Sequence, residues 1–528
     1  MHTECYPIST LPKLSRLFLD YSARREPLAP FYAASSYAPV VVGDGAREGV
    51  YAAVADLLEA QNRGFGAGQA ALANIEKLRA GSAAVVTGQQ VTLFAGPLFT
   101  LLKAATAIRR AKDAGAVPIF WMATEDHDLA EADHVTLPSR HQLHTLRLEH
   151  SPEDEGKPAG SVRLGEGIRP VLEQAAELLG PGPALDALQA AYKPEATYAG
   201  AFGRFLASVF AGQGLILIDA AGREFHRLGA PVLRAAIERA SELEAWLLER
   251  ARLLEERGYA AQVLVAEGGS LLFLIDDETG ARLPLKHKDD GTWIAGRNQY
   301  STAELLAILE TEPERLSPNA LLRPVFQDSI LPTAAYIGGP SEISYFAQSQ
   351  VLYQAILGRT TPVLPRLSAT LVEPSVAKIL ALHELSLPEI MAAQPEDLAQ
   401  RLGVRVLPEE GRQKLEQAGS ALDAELTTLT EWMAQLDAGL GKSAEVAAGK
   451  MRYQMDRLRR LASDYQLQKQ SSLRKHVDAL YLNLFPERHP QERIIGAAAF
   501  LARSGQGLVS ELVELAGAEC PGHKVAFI

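Results

Sequence analysis

Two short polar clusters follow apolar runs in this chain, and both hold residue types able to handle a charged substrate. The first is Gly88-Gln89-Gln90, directly after residues 83–87. A glutamine amide both donates and accepts hydrogen bonds, so beside a glycine it can hold a carboxylate or phosphate together with backbone amides. The second is Glu125-Asp126-His127-Asp128, directly after the apolar run 117–123. Neighbours in an extended segment point to opposite sides, so Glu125 with His127, or Asp126 with Asp128, would share a face. With Asp133 and His134 nearby, these groups could ligate a divalent metal or hold a substrate ammonium and take its proton; they could equally cap the next helix or pair with arginines. The spacing fits no standard zinc motif. Polar groups crowded at the mouth of an apolar strand are costly unless something needs them, which favours amine recognition or general-base work.

Other chemistries find no motif. TGQQVTLFAGP matches neither a P-loop nor a dinucleotide-binding glycine fingerprint, there is no G-x-S-x-G elbow, and neither cysteine sits in a nucleophile context. Binding and activation of polar substrates is favoured over covalent catalysis.

The elements that must position these clusters follow an α/β rhythm. A strand at 83–87 runs into a loop at 88–90, and a helix starts near Gly96-Pro97, where proline suits a first turn. The second strand, 117–123, is apolar throughout, as a parallel strand buried on both faces should be. A third strand at 215–219 lies between a helix at 198–210 and a long helix at 232–257. Short β runs at 262–266 and 271–275 flank Glu267-Gly268-Gly269-Ser270, a hairpin signal. The rhythm resumes at 331–337, which opens into Gly338-Gly339-Pro340-Ser341-Glu342 and a helix through 357; a short strand at 361–364 then leads to Pro365-Arg366. Before all this, the first 80 residues read as mostly helical. From Leu422 through Leu426, Leu429, Met433, Leu436 and Leu440 the spacing is that of a heptad seam, resuming after Gly439-x-Gly441 with Met451, Met455, Leu458, Ala462 and Tyr465. So long a seam suits a helical hairpin that pairs two subunits, with a helical bundle packed inside one subunit as the alternative.

The chain has 528 residues, a size that suggests about three domains. With 47% apolar and 22% charged residues it is globular, and its net charge of −12 opposes general attraction to nucleic acid. Arg452, Arg457, Arg459 and Arg460 read as the solvated face of a helix, with a site for an anionic ligand as the alternative. No apolar run is long enough to span a bilayer and the first residues lack a leader pattern, so a cytoplasmic protein with no membrane partner is expected. Cys5 and Cys520, far apart in sequence, are expected to be reduced thiols.

Four segments, AAVVTGQQ-x4-AGPLFTLLKA, PIFWMATEDHDLAEADHV, RPVFQDSILPTAAYIGGPSEISYFAQ and LPRLSATLVE, occur in this order. Together with the heptad region and Pro490–Arg493, they resemble the bacillithiol biosynthesis cysteine-adding enzyme family. The resemblance implies an α/β fold: a Rossmann-like, nucleotidylyltransferase-type core with two inserted connecting domains and a long α-helical coiled-coil arm that pairs two subunits. The core would comprise 1–128 with the N-terminal helices, 198–257 and 319–374; the insertions 129–197 and 258–318; the arm 375–485; and 486–528 would return to the core. The implied reaction joins the carboxylate of L-cysteine to the amine of glucosaminyl-malate. Making an amide in water needs carboxylate activation, as an acyl-adenylate or acyl-phosphate, so ATP or ADP is the expected cosubstrate and no metal is firmly implied. The His-x-Gly-His signature of related synthetases is absent, and Gly88-Gln89-Gln90 with Gly96-Pro97 stands in its place. The expected catalytic residues are Gln89, Gln90, Glu125, Asp126, His127 and Asp128. Thr87, Gly88, Gly96, Lys103, Asp133, Gly338, Gly339, Glu342 and Tyr345 are expected to bind substrate, and Arg366, Gln491 and Arg493 the nucleotide. A metal-dependent hydrolase of a sugar amide and a non-catalytic nucleotide-binding scaffold are the alternatives.

Overall fold

The computed structural model describes residues 2–33, 40, 48–288, 290–405, 407–469, 471–505 and 507–528. The chain divides into two compact units, one of Met1–Thr370 with Pro490–Ala526 and one of Leu371–His489.

The first unit is built on five parallel strands in the order Val363–Pro365, Thr333–Gly338, Ala84–Gln90, Val117–Ala123, Ile216–Asp219. Val85, Val86, Ile119, Phe120, Leu217 and Ile337 in these strands are wholly buried, which is why each reads as an unbroken apolar run. From Ala84–Gln90 the sheet grows one way through Val117–Ala123 and the other way through Thr333–Gly338. That reversal opens a crevice at the carboxyl ends of the two central strands. The helix Phe99–Ala114 links the first two strands and ends at Gly115, whose φ of +64° supplies a left-handed cap.

Several elements differ from the sequence expectation. Gly88, Gln89 and Gln90 belong to the strand and not to a loop: they stay in register with Trp121, Met122 and Ala123. Residues 262–266 form no strand, because the Gln348 side chain takes both the N–H and the carbonyl of Val263. The hairpin partner of Gly269–Ile275 is instead Arg282–His287, within a five-stranded antiparallel sheet. The helix expected at 232–257 is two, Arg223–Glu238 and Ala240–Glu256, broken at Arg239, whose guanidinium reaches the Ala355 carbonyl and Glu242. A hairpin of His134–Pro138 and Leu143–Arg147 was not foreseen, nor was the opening strand His2–Tyr6.

The largest correction concerns the cysteines. His2–Tyr6 lies beside His523–Phe527 in one sheet, and this brings Cys5 and Cys520 to a Cα separation of 5.9 Å, joined as a disulfide. The thiols expected to be free are paired because the chain's two ends meet as neighbouring strands.

His523, on that last strand, is fully buried between two hydroxyls, Ser368 Oγ on Nδ1 and Thr370 Oγ1 on Nε2, each at 2.9 Å. Burial pulls its pKa down to about 4, against the pull of Glu492. An unfolded histidine titrates near 6.5, so the unfolded chain takes up this proton first as pH falls. The neutral ring's contribution is therefore complete above about pH 6.5 and is lost as pH falls to about 4, a total of about 3 kcal/mol. Thermal unfolding between pH 7 and roughly 4.5 should show a steep fall in midpoint that flattens in His523→Gln.

In the second unit the helices Glu409–Leu436 and Ala438–Lys469 pack on each other as a hairpin. The break falls at Asp437, two residues before the first of the glycines expected to make it, because Asp437 Oδ1 accepts the N–H groups of Gly439 and Leu440 and so starts the next helix. Gly441 serves packing: a Cβ there would lie 2.8 Å from Ala434. Arg452 pairs with Asp423 and Arg459 with Asp456 on the helix surface. No helix among the described residues is long and apolar enough to cross a membrane.

Candidate functional site

A cavity of about 380 Å³ opens at the carboxyl ends of the central strands, at the reversal point of the sheet. Strand Ala84–Gln90 contributes Gly88, Gln89 and Gln90 to its wall. Gly88 is required there, since a Cβ would stand 2.9 Å from the Trp121 carbonyl oxygen of the next strand. Gln89 Oε1 accepts from Lys103 Nζ at 2.9 Å. Gln90 is buried, yet neither its Oε1 nor its Nε2 has a hydrogen-bond partner. Leaving a buried amide unsatisfied costs about 1–3 kcal/mol, so a residue of the cavity lining that carries this cost is suited to a ligand. Gln90→Ala should accordingly reduce turnover while leaving the melting temperature unchanged or slightly higher; a melting temperature that falls steeply would assign the amide to the core.

Lys103 is the centre of the basic wall. It is buried on helix Phe99–Ala114, donates to the Gly88 carbonyl at 2.7 Å, and pairs with Glu342 at 2.5 Å. Glu342 lies in the first turn of helix Pro340–Leu357, where its carboxylate also accepts from the Gly339 N–H at 2.7 Å and the Tyr336 hydroxyl at 2.6 Å. Burial alone would raise the Glu342 pKa, but Lys103 and these donors outweigh it and hold the carboxyl below its ordinary value. Burial lowers the Lys103 pKa, opposed by Glu342 and aided by Arg366 and Arg323. Arg323, Arg366 and Arg493 extend this wall. Arg366 is anchored by Glu492 at 2.7 Å, and Arg323 lies over the rings of Trp121 and Tyr336.

The acidic cluster disperses. Glu125 and Asp126 line the cavity, with Glu131 from the short helix Leu129–Ala132. Glu125 Oε1 is 2.8 Å from Nε2 of the buried His226, an ion pair when the ring is protonated. Burial disfavours the charged ring, but Glu125 prevails and raises the His226 pKa. His127 does not line the cavity and packs against Phe273. Asp128 caps Leu129–Ala132 by accepting from the Glu131 N–H at 3.1 Å, the structural alternative for that residue. Asp133 is also removed from the cavity, held by Arg147 and by His134 at 3.0 Å. Among the described residues no three His, Cys, Asp or Glu side chains are grouped to hold a metal ion. Glu131 is open to solvent at its residue surface but has protein atoms packed near its carboxyl; burial, then Asp126 and Asp128, raise its pKa, an effect that solvent access limits.

Residues 1–367 match the family model "Bacillithiol biosynthesis BshC, N-terminal Rossmann-like domain", and residues 369–528 match "Bacillithiol biosynthesis BshC, C-terminal coiled-coil domain". The chain belongs to the BshC family. A protein of Koribacter versatilis named "Putative cysteine ligase BshC" is 42% identical over 99% of both chains. Relatives of the same name from Solibacter usitatus and Symbiobacterium thermophilum are 33% and 34% identical, covering 100% of both chains and 89% and 88% respectively.

Not every expected residue of this BshC-family chain meets the cavity. Gly88, Lys103, Gly339, Glu342, Tyr345, Arg366 and Arg493 line it with Gln89 and Gln90. Thr87 is buried in the sheet and donates to the Ile337 carbonyl. Gly96, at φ +61°, packs against Thr92, and Gly338 against Glu342 and Val363. Gln491 is buried outside the lining. Among the lining residues that escaped the sequence reading are Arg282, Arg323, Glu131 and Tyr336. Arg282 comes from the antiparallel sheet, where Ser317 Oγ and the Pro318 carbonyl fix its guanidinium at 2.8 Å over the Phe273 ring. Only the position of Arg323, Tyr336 and Glu131 within the family-bearing segments could have signalled them.

Proposed function

We propose that the chain joins the carboxylate of L-cysteine to the amine of glucosaminyl-malate. The observation that carries this is one cavity whose lining offers both signs of charge: a first set of cations, Arg282, Arg323, Arg366, Arg493 and the Glu342-paired Lys103, and a second set of carboxylates, Glu125, Asp126 and Glu131. A carboxylate-bearing substrate suits the first set through charge-assisted hydrogen bonds. An ammonium suits the second, and an amine must lose its proton before it attacks a carbonyl carbon. Asp126 holds the acceptor amine, and Glu131, whose raised pKa brings it nearer neutrality, takes the proton. The orphaned Gln90 amide and the Arg366 and Arg493 guanidiniums suit the phosphates of a nucleotide. ATP would supply the leaving group that a free carboxylate lacks. The relatives' shared name, cysteine ligase, agrees with amide formation.

The test is incubation of the purified chain with L-cysteine, glucosaminyl-malate and ATP, followed by mass detection of the condensed thiol and of AMP or ADP. No product with any nucleoside di- or triphosphate would refute the reading. Asp126→Asn should raise KM for the amine substrate by roughly tenfold or more while moving the melting temperature by no more than about 2 °C, because the side chain is half exposed and its worth lies in one charge-assisted contact. A collapse in melting temperature would make Asp126 structural.

The second unit completes the proposal as a dimerisation arm. Its hairpin buries Leu426 and Ala448 but leaves Leu429, Trp432, Leu436 and Leu458 about half exposed or more. That apolar face fits a second copy of the same chain, since a self-complementary pair is the commonest closed assembly.

A further inference from the structure

A second cavity, of about 340 Å³, lies against the Cys5–Cys520 disulfide. Cys520 lines it and Cys5 does not; Cys5 is exposed on its strand. The cavity's charged lining is Arg24, Arg110, Arg366 and Lys524 against the single carboxylate Glu519. Two of these cations are already engaged, Arg366 by Glu492 and Lys524 by the carbonyls of Leu515 and Ala518. Arg24 and Arg110 are different. Among the described residues neither is paired with a carboxylate, and Arg110 Nε is buried with no hydrogen-bond partner. Arg366 also lines the first cavity, where the proposed ligase chemistry uses it, but Arg24, Arg110 and Cys520 take no part in that chemistry.

The geometry points to a thiol-exchange site at Cys520, served by an anionic low-molecular-weight thiol that docks on Arg24 and Arg110. A thiol carrying carboxylates is drawn to the unpaired guanidiniums, and their charge also favours its thiolate form. The thiolate sulfur attacks Sγ of Cys520. A new S–S bond forms between them, the Cys520–Cys5 bond breaks, and its electron pair leaves on Cys5 as a solvent-exposed thiolate. A second thiolate then attacks the bound thiol's sulfur, freeing Cys520 and releasing the small disulfide. Two thiols are oxidised and the protein disulfide is reduced, two electrons in all. His2–Tyr6 and His523–Phe527 are hydrogen-bonded neighbours in their sheet, so backbone pairing joins the two ends besides the disulfide.

The test uses the oxidised full-length protein and reads disulfide opening by alkylation and intact mass. Mercaptosuccinate, 2-mercaptoethanol and cysteamine are compared at equal thiolate concentration. Mercaptosuccinate should react about tenfold faster than cysteamine, and the preference should collapse both in Arg24→Ala/Arg110→Ala and in about 1 M salt, the salt arm needing no variant to fold. In Cys5→Ser, the oxidised dimer of mercaptosuccinate should leave one adduct, mapped to Cys520. Equal rates for the three thiols overturn the proposal, as does a preference that survives high salt, an adduct-free Cys520, or alkylatable thiols in the oxidised parent. None of these readouts depends on ligase turnover.

Discussion

Replacing Lys103 by methionine should destabilise the Rossmann-like unit by about 3–5 kcal/mol and abolish turnover. The ammonium sits at 2.5 Å from Glu342, and both side chains are largely sequestered, with 5% and 16% of their surfaces exposed. Methionine fills similar volume but leaves the carboxylate buried without its main counter-charge. Lys103 is the leading attractive influence on the Glu342 pKa, so its loss lets burial raise that pKa. The double variant Lys103→Met/Glu342→Gln removes both charges and should recover most of the lost stability, because a buried ion pair and a neutral pair of similar size differ little. Turnover should not return, since the basic wall still lacks its central cation. Urea unfolding of the three proteins beside a product assay separates the outcomes. A double variant that regains both stability and activity would show that Lys103 only balances Glu342.

This pair also shows how far the sequence could be read. Runs such as 117–123 announce themselves as strands because a parallel strand covered on both faces is apolar at every position. Polarity misled at Gly88-Gln89-Gln90: side chains turn polar where the cavity begins, while the backbone goes on pairing with Trp121, Met122 and Ala123. A loop inferred from side-chain polarity was a strand end facing a ligand space. In the acidic cluster, alternation presumed that an extended segment continued past Ala123, but the chain turns at Thr124 and Glu125. Asp128 then becomes a cap, and Glu131 reaches the cavity from the next helix. Arg282 carries no local signal, because only the register of a distant antiparallel sheet brings it to the cavity. Cys5 and Cys520 illustrate the same limit at a separation of 515 residues.

Leu429→Glu/Leu436→Glu should convert the chain from dimer to monomer at micromolar concentration. The heptad spacing correctly marked helices, but one spacing served two faces. Leu426 packs inside the hairpin at 6% exposure, whereas Leu429 and Leu436 remain 49% and 60% exposed. Within a single chain, then, glutamate at these two positions meets water and should leave the hairpin and its far-ultraviolet circular dichroism intact. In a dimer each leucine covered by a partner contributes about 1.5–3 kcal/mol, and two-fold symmetry counts each substitution twice. Burying the new carboxylates without partners adds a further penalty, so the double variant should dissociate outright. Light scattering of parent and variant reads the mass directly. A monomeric parent would remove the arm's pairing role, and a dimeric variant would move the interface to another surface. A variant that loses helical signal would instead place these leucines in the packing of the hairpin itself.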